Sequence, residues 1–542
     1  MESFTNLRAP VYSKNGIACS SHPLAAGVGR DILKAGGNAA DAAVAMAAMV
    51  NVTEPMMNGM GGDCFMLVHW EGAFHGLNAS GHSGAKFSIE ALQAAGFDAL
   101  PAAGGATVSV PGALDGYLAL HEKFGSMDLA DLLEPAATYA QEGYAVGLKI
   151  SQVWAWGASK LQRFSPDADA YLPGGNAPAR GQIFAQPDLA ATWRKVGREG
   201  RSSFYAGDIR DRILEVLAKN GGFLVEADFE PVQAEWVAPI SLSYRGHRIL
   251  ELPPNGQGIV VLLALGMLER FDLQSEFENN TADASHLIIE ALKLAFADAS
   301  HAVGDPRFSN IPVDRLLSDA FIHKRSTLIQ RDYALDNPTA GRIYGDTTYL
   351  TVVDKDRNAV SLITSISDVF GSGIIVPGTG VILHNRAADF VMEKGHPNAA
   401  APAKRVRHTI LPSMMLNTDG SLRLSFGCMG ANMQPQGQVQ ILINLIDRRM
   451  NLQQALDAPR VRVLDGYRIH LEPHLLHAGF SERLVALGHE VVEGEKVPVD
   501  WTLPHDFMRT FEGSAQAIQI EHGGHSLCGA SDPRLDGIAC PY

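Results

Sequence analysis

Charge is scarce in this chain. Asp, Glu, Lys and Arg make up 19% of its 542 residues, and the net charge is −15. No run of Lys and Arg interrupts that balance. This excludes the basic footprint that nucleic acid or an anionic membrane demands, so neither is expected as a partner. Cysteine is scarcer still. Cys19, Cys64, Cys428, Cys528 and Cys540 are odd in number, scattered, and contain no C-x-x-C pair. That pattern argues against a disulfide scaffold and against a structural zinc site. Long apolar runs are also missing. The longest near the front, Ala42 to Val50, sits between Asp41 and Glu54. A bilayer span needs about 20 apolar residues. Met1 to Val11 carries Glu2 and no apolar segment, so no secretory signal is expected and a cytoplasmic location is the default. There is no internal repeat, P-loop, H-E-x-x-H or G-x-S-x-G.

What is present is core. Hydrophobic residues reach 46%, enough for a large interior, and 54 glycines supply turns and backbone-lined sites. Gly345 to Asp354 alternates β-branched and aromatic residues, as a buried strand does. Lys355-Asp356-Arg357-Asn358 reads as a polar turn and Ala359 to Ser365 as a second strand, together a β-hairpin. By itself the hairpin implies no chemistry, and Thr347 at its head is a strand-edge hydroxyl. Near the front, helices are expected over Ala25–Ala35, stopped by Gly36-Gly37, and over Ala39–Val50, capped by Asn38. Leu252 to Gly258 opens an apolar helix to about Leu268. Ile288 to Ala299 reads as an amphipathic helix exposing Glu290, Lys293 and Asp298. Residues 305–345 read as an exposed, turn-rich tail.

The order of blocks along nearly the whole chain resembles the γ-glutamyltransferase family of N-terminal-nucleophile (Ntn) hydrolases. The blocks are "SSHPLA…ILKAGGNAADAAVA…GMGGDCFMLV", Ser109-Val110-Pro111-Gly112, Leu252-Pro253-Pro254-Asn255-Gly256, the Thr347 hairpin with Phe370-Gly371-Ser372-Gly373, and Ser531-Asp532-Pro533-Arg534. The resemblance implies an α+β fold, a four-layer αββα sandwich. It implies self-cleavage before Thr347, giving fragments 1–346 and 347–542 that stay together as a heterodimer, possibly paired again. It implies a small-molecule amide as substrate, without metal or organic cofactor. The chemistry suits the position. A terminal threonine brings its own base, an α-amine whose reference pKa is about 7.7–8.

Site residues follow from the same resemblance. Thr347 is the nucleophile. The amides of Gly430 and Ala431, in a glycine-rich turn before a helix over Val439–Leu445, form an oxyanion hole. Ser365, Asn385, Arg386, Asp389, His408 and Thr409 bind substrate. Departures from the family pattern bear on specificity. Ser80 stands where glutamyl transferases carry an arginine for the α-carboxylate, and no arginine lies between Ala73 and Leu100. Arg386 replaces a neutral amide, and is either a solvated surface charge or a substrate-carboxylate anchor. The sequence around Arg386, Arg407-His408-Thr409 and Met433-Gln434-Pro435-Gln436 is more similar to relatives that hydrolyse small amides, such as oxamate amidohydrolase. Alternatives are γ-glutamyl transfer or glutathione hydrolysis, and an inactive binding or structural relative.

Overall fold

A computed structural model describes residues 8–231, 233–336, 346–492 and 512–542. Two seven-stranded antiparallel sheets form its centre. One runs Ile538–Pro541, Ile17–Ser20, Asp346–Val353, Ala359–Ser367, Asp63–Trp70, Ala73–Ala79 and Glu235–Val237. The other runs Val11–Ser13, Ser526–Ser531, Ala515–Glu521, Leu422–Cys428, Ser413–Leu416, His247–Glu251 and Ile240–Tyr244. The sheets face each other closely. Thr351 Oγ1 lies 2.7 Å from Ser425 Oγ. The Tyr349 ring occupies the space above Gly427, where a Cβ would stand 2.4 Å from it. Only glycine admits that approach.

Helices cover both outer faces. Pro23–Lys34, Ala39–Thr53, Ala113–Phe124 and Leu129–Glu142 share one core with the first sheet. Gly258–Leu268, Thr281–Ala302 and Met433–Ile446 share another with the second sheet. The layers are therefore αββα, the Ntn-hydrolase sandwich. Ala39–Thr53 is buried along its whole length, which its small side chains permit, and Asn38 caps it in a reciprocal box with Asp41. At its far end Glu54 accepts a 2.7 Å bond from Thr348 Oγ1. The helix thus holds the strand that carries Thr347.

Three expectations need correction. Glu290 and Lys293 are buried, not exposed, and pair with each other at 2.9 Å. Their helix is covered on its outer side by the chain at 329–335. Leu335 N–H donates to Glu290 and Lys293 donates to the Leu335 carbonyl, at 2.9 and 3.0 Å. Periodicity shows one buried face and cannot show a second covering layer. The segment after residue 305 is likewise more ordered than an exposed tail, with helices Val313–Leu316 and Asp319–Ser326. Its end, 337–345, lies outside the described residues. The helix expected over Val439–Leu445 starts earlier, at Met433.

Candidate active site

Thr347 sits near the start of the central strand Asp346–Val353 and is 2% exposed. The pairing register with Ala359–Ser367 shifts between Asp346 and Thr348. Such a bulge re-aims a side chain and is a common device beside active sites. Thr347 Oγ1 lies 3.4 Å from Ser365 Oγ and accepts a bond from Gln434 Nε2 at 3.1 Å. The Gln434 amide cannot flip without loss, because its Oε1 accepts from Leu411 N–H at 2.9 Å. With Gln434 donating, the threonine's own proton is directed elsewhere. Behind Ser365 the chain at Gly62 comes so near that a Cβ there would lie 2.3 Å from the Ser365 carbonyl oxygen.

Arg386 is 2% exposed, so it is not a solvated surface charge. Its Nη2 donates to Ser365 Oγ at 3.3 Å. Its Nη1 donates to Thr409 Oγ1 at 3.0 Å and to Asp389 at 3.2 Å. Its Nε lies 3.9 Å from Asp63. Asp63 is a buried hub. It accepts from His408 Nε2 at 3.0 Å and from Gly81 N–H at 3.0 Å, and His384 Nδ1 lies 3.2 Å away. Burial would raise the Asp63 carboxyl, but the two histidines outweigh it and hold it well below the usual carboxylate range. Burial, helped by Arg386, lowers His408 to about 4. His408 is therefore neutral at pH 7. Its Nδ1 accepts from Ile410 N–H at 3.3 Å, which leaves the Nε2 proton for Asp63.

The glycine-rich turn follows Leu422–Cys428 and enters Met433–Ile446. Gly430 has φ +112° and Ala431 φ +52°. Neither N–H donates to an acceptor among the described residues. A left-handed alanine with an unused amide is the kind of local strain that recurs at functional sites.

The remaining expected residues fall into two groups. Thr409 and Asp389 join Arg386. Asn385 has its partners elsewhere. Its amide donates to the Ala102 carbonyl at 2.7 Å and to Asp368 at 2.9 Å, and accepts from Asp368 N–H at 3.0 Å. Its visible work is to hold the loop after Ala359–Ser367. Ser80 is buried against Asn78 and Asn255, at 2.7 and 3.2 Å, and makes no charged contact. Sequence reasoning missed Asp63, His384 and Gln434. Asp63 and Gln434 lie inside quoted motifs and His384 stands two residues before Arg386, but the partner of each is tens to hundreds of residues away.

Among the described residues, one group could hold a metal by its geometry: His286, Glu290 and His489. It is far from this chemistry in kind. His286 Nδ1 already meets His489 Nε2 at 2.8 Å, and the Lys293 ammonium occupies the Glu290 carboxylate. A cation there would have to displace Lys293.

The model of the family described as gamma-glutamyltranspeptidase matches residues 25–542. The chain belongs to the γ-glutamyltranspeptidase family. It is 35% identical over 529 residues to the glutathione hydrolase-like YwrD proenzyme of Bacillus subtilis, covering 96% of this chain and 97% of that one. It is 32% identical over 542 residues to the oxamate amidohydrolase proenzyme of Klebsiella pneumoniae, covering 98% and 99%. Among solved structures, cephalosporin acylase from Bacillus halodurans superposes with a TM-score of 0.91 at 37% identity, covering 100% of this chain and 98% of that one. The protein is thus an enzyme of the Ntn-hydrolase class acting on C–N bonds, in a family that contains proenzymes. No described helix is long and apolar enough to cross a membrane.

Proposed function

We propose that the chain cleaves itself before Thr347 and then hydrolyses small amides whose acyl half carries a carboxylate and no amino group, through a Thr347 acyl-enzyme. The observation that carries this reading is the setting of Thr347: a buried hydroxyl on a bulged central strand, oriented by Gln434, in a site with two unused amides and a concentration of arginine. In maturation Thr347 Oγ attacks the Asp346 carbonyl carbon. The C–N bond breaks, and the resulting ester is hydrolysed by water. Fragments of 346 and 196 residues remain. In turnover the Thr347 Oγ attacks the substrate carbonyl and its proton passes to the new α-amine. The N–H groups of Gly430 and Ala431 face the tetrahedral oxyanion. The C–N bond breaks as the α-ammonium protonates the leaving amine. Water, deprotonated by the same amine, then attacks the ester and releases the acid.

The preference against γ-glutamyl amides is supported by what stands at Ser80. With a buried neutral hydroxyl there, a glutamyl α-carboxylate lacks its bidentate partner. An oxamate-like amide is the shortest substrate of the proposed class. The test is a panel of carboxylated amides, neutral amides and γ-glutamyl-p-nitroanilide, read by release of ammonia or nitroaniline. The expected result is preference for the carboxylated amides. A higher kcat/KM for γ-glutamyl-p-nitroanilide than for any of them overturns the reading.

A further inference from the structure

A cavity of about 500 Å³ lies between the helices Thr281–Ala302 and Met433–Ile446 and the chain at 474–480. None of the residues around Thr347 lines it. The helix Met433–Ile446 passes both places. Gln434 in its first turn reaches Thr347. Ile443 lines the cavity about two and a half turns further on, a rise of about 14 Å. The volume suits a small molecule. Ile443 and Phe480 are buried parts of the lining, and Asn279 and Thr281 are exposed ones. Among the described residues no Asp or Glu lines the cavity, and Arg448 is its one side chain of fixed charge.

Arg448 follows the last turn of Met433–Ile446. Its Nη1 donates to Asn444 Oδ1 at 3.0 Å, and its guanidinium lies 4.6 Å from the centre of the Phe277 ring. Both Asn444 and Phe277 line the same cavity. No carboxylate pairs with Arg448 among the described residues. Burial alone pushes its pKa below the usual arginine range, and no neighbouring charge offsets this. A guanidinium has five N–H donors, so the bond to Asn444 leaves most of them for another acceptor. A cation just past a helix C-terminus is favoured by the helix dipole. That accounts for the charge and leaves the cavity beside it without a reason. The 22-residue helix Thr281–Ala302 starts at the same space, which Thr281 and Ser285 line. Its N-terminus carries partial positive charge that attracts anions. Asp283 in its first turn is held by Arg483 at 2.7 Å.

We infer that this cavity is a binding site, separate from the Thr347 centre, for a small aromatic monocarboxylate whose carboxylate pairs with Arg448 and whose ring lies among Phe277, Ile443 and Phe480. One guanidinium matches one carboxylate, and the pairing is bidentate where the fork is free. A dianion such as a phosphate monoester would bring a second charge with no second fixed cation to meet it. The apolar lining gives a bare anion nothing to bury, whereas an aromatic ring can pack edge or face against Phe277 and Phe480. The proposed hydrolysis makes no use of this site, so its occupant is neither the substrate nor the acyl group.

The test is calorimetric titration of the whole protein with 2-naphthoate, and with 2-naphthamide as its neutral counterpart. Wild type should bind the acid at least about tenfold more tightly than the amide, the margin of a charge-assisted hydrogen bond. Arg448→Gln should raise Kd for the acid at least about tenfold and leave Kd for the amide within about twofold. Arg448→Lys should keep part of the affinity, because it retains the charge without the fork. Asn279→Trp places a large ring at the exposed edge of the cavity and should weaken acid and amide alike. It disturbs no buried residue, so it decides the matter if Arg448→Gln does not fold. Every folded variant should keep the wild-type kcat/KM for amide hydrolysis. Absence of binding by wild type at millimolar 2-naphthoate overturns the inference. So do equal affinities for acid and amide, or an unchanged Kd for the acid in either Arg448→Gln or Asn279→Trp. Displacement of 2-naphthoate by an amide substrate would put the probe at Thr347, and overturns it too.

Discussion

Among the described residues, two of the buried arginine clusters are built to opposite ends. One lies behind the turn at Gly430 and Ala431. There Arg534 meets Glu472 through Nε at 2.8 Å and through Nη2, and meets Asp532 through Nη1 at 3.1 Å. It also donates to the carbonyls of Leu456 and Ala458. Arg460 reaches Asp532 at 2.7 Å and the Glu512 carbonyl at 2.9 Å. Two carboxylates face two guanidiniums and the geometry is bidentate, the closed arrangement that a buried ion network requires. The other cluster, around Arg386, is long in its bonds and unfinished. Arg386 shares its fork among three oxygens at 3.0–3.3 Å, and the side chain of Arg407, near the same Asp389, makes no hydrogen bond or ion pair among the described residues. A cluster that closes on itself fixes a fold. A cluster left open at one edge can take a ligand.

The largest way to sharpen that contrast is to remove Thr347, the proposed nucleophile beside the open cluster. Thr347→Ala should give a single chain near 58 kDa on a denaturing gel and no amidase activity. Its thermal stability should be little changed. Normal fragmentation of this variant would exclude Thr347 as the self-cleaving residue. Gly430→Pro removes one of the two unused amides. Losing one oxyanion donor costs about 10²–10³ in kcat, and a folded, cleaved variant at full rate would dismiss the hole.

Breaking the closed cluster should act on stability instead. Asp532→Asn leaves Arg460 and Arg534 short of a buried counter-charge. Removing one partner of such a network destabilises by about 3–5 kcal/mol, read as a lower denaturant midpoint. The folded fraction should keep its KM. Asp63→Asn in the open cluster should do the reverse. It keeps one acceptor for His408 but loosens Arg386, so kcat should fall about tenfold with a stability cost of about 1–3 kcal/mol. A larger stability loss at Asp63 than at Asp532 would show that the two clusters are of one kind.

Local chemistry made much of this legible in the sequence. The hairpin, the Asn38 cap and the alanine helix follow from residue types a few positions apart. Thr347 and the turn at Gly430 and Ala431 came from ordered family-like blocks, not from periodicity. What stayed hidden is contact between distant segments. Nothing near Asp63 announces His408, 345 residues on, and Arg386 in a polar stretch reads equally as surface or site until its burial is seen. Glu290 and Lys293 failed for the same reason, since the layer that covers them comes from the chain 45 and 42 residues downstream.

The smallest effect expected is on pH dependence, and it separates the clusters by the pH window in which each contribution is lost. His408 in the open cluster is held neutral, with its pKa lowered to about 4 by burial and then by Arg386. The unfolded histidine titrates near 6.5. Between these values the unfolded chain binds a proton that the folded chain refuses. Stability from this group is therefore complete above about pH 6.5 and declines as pH falls toward 4. His22, also lowered to about 4 by burial, contributes a parallel decline, so removing one histidine should flatten the curve only in part. The closed cluster contains Asp532, which is also held below its usual range, by Arg534 and Arg460 against the effect of burial. Its contribution is lost only at lower pH, below the unfolded carboxylate value near 3.9. His408→Gln retains an N–H for Asp63 and does not titrate. Its melting temperature should fall less steeply than that of wild type from pH 6.5 to 4.5, with the curve below pH 4 unchanged in slope. Parallel curves for the two proteins over the upper window would mean that His408 is already protonated in the fold, and the neutral donor assigned to it would be wrong.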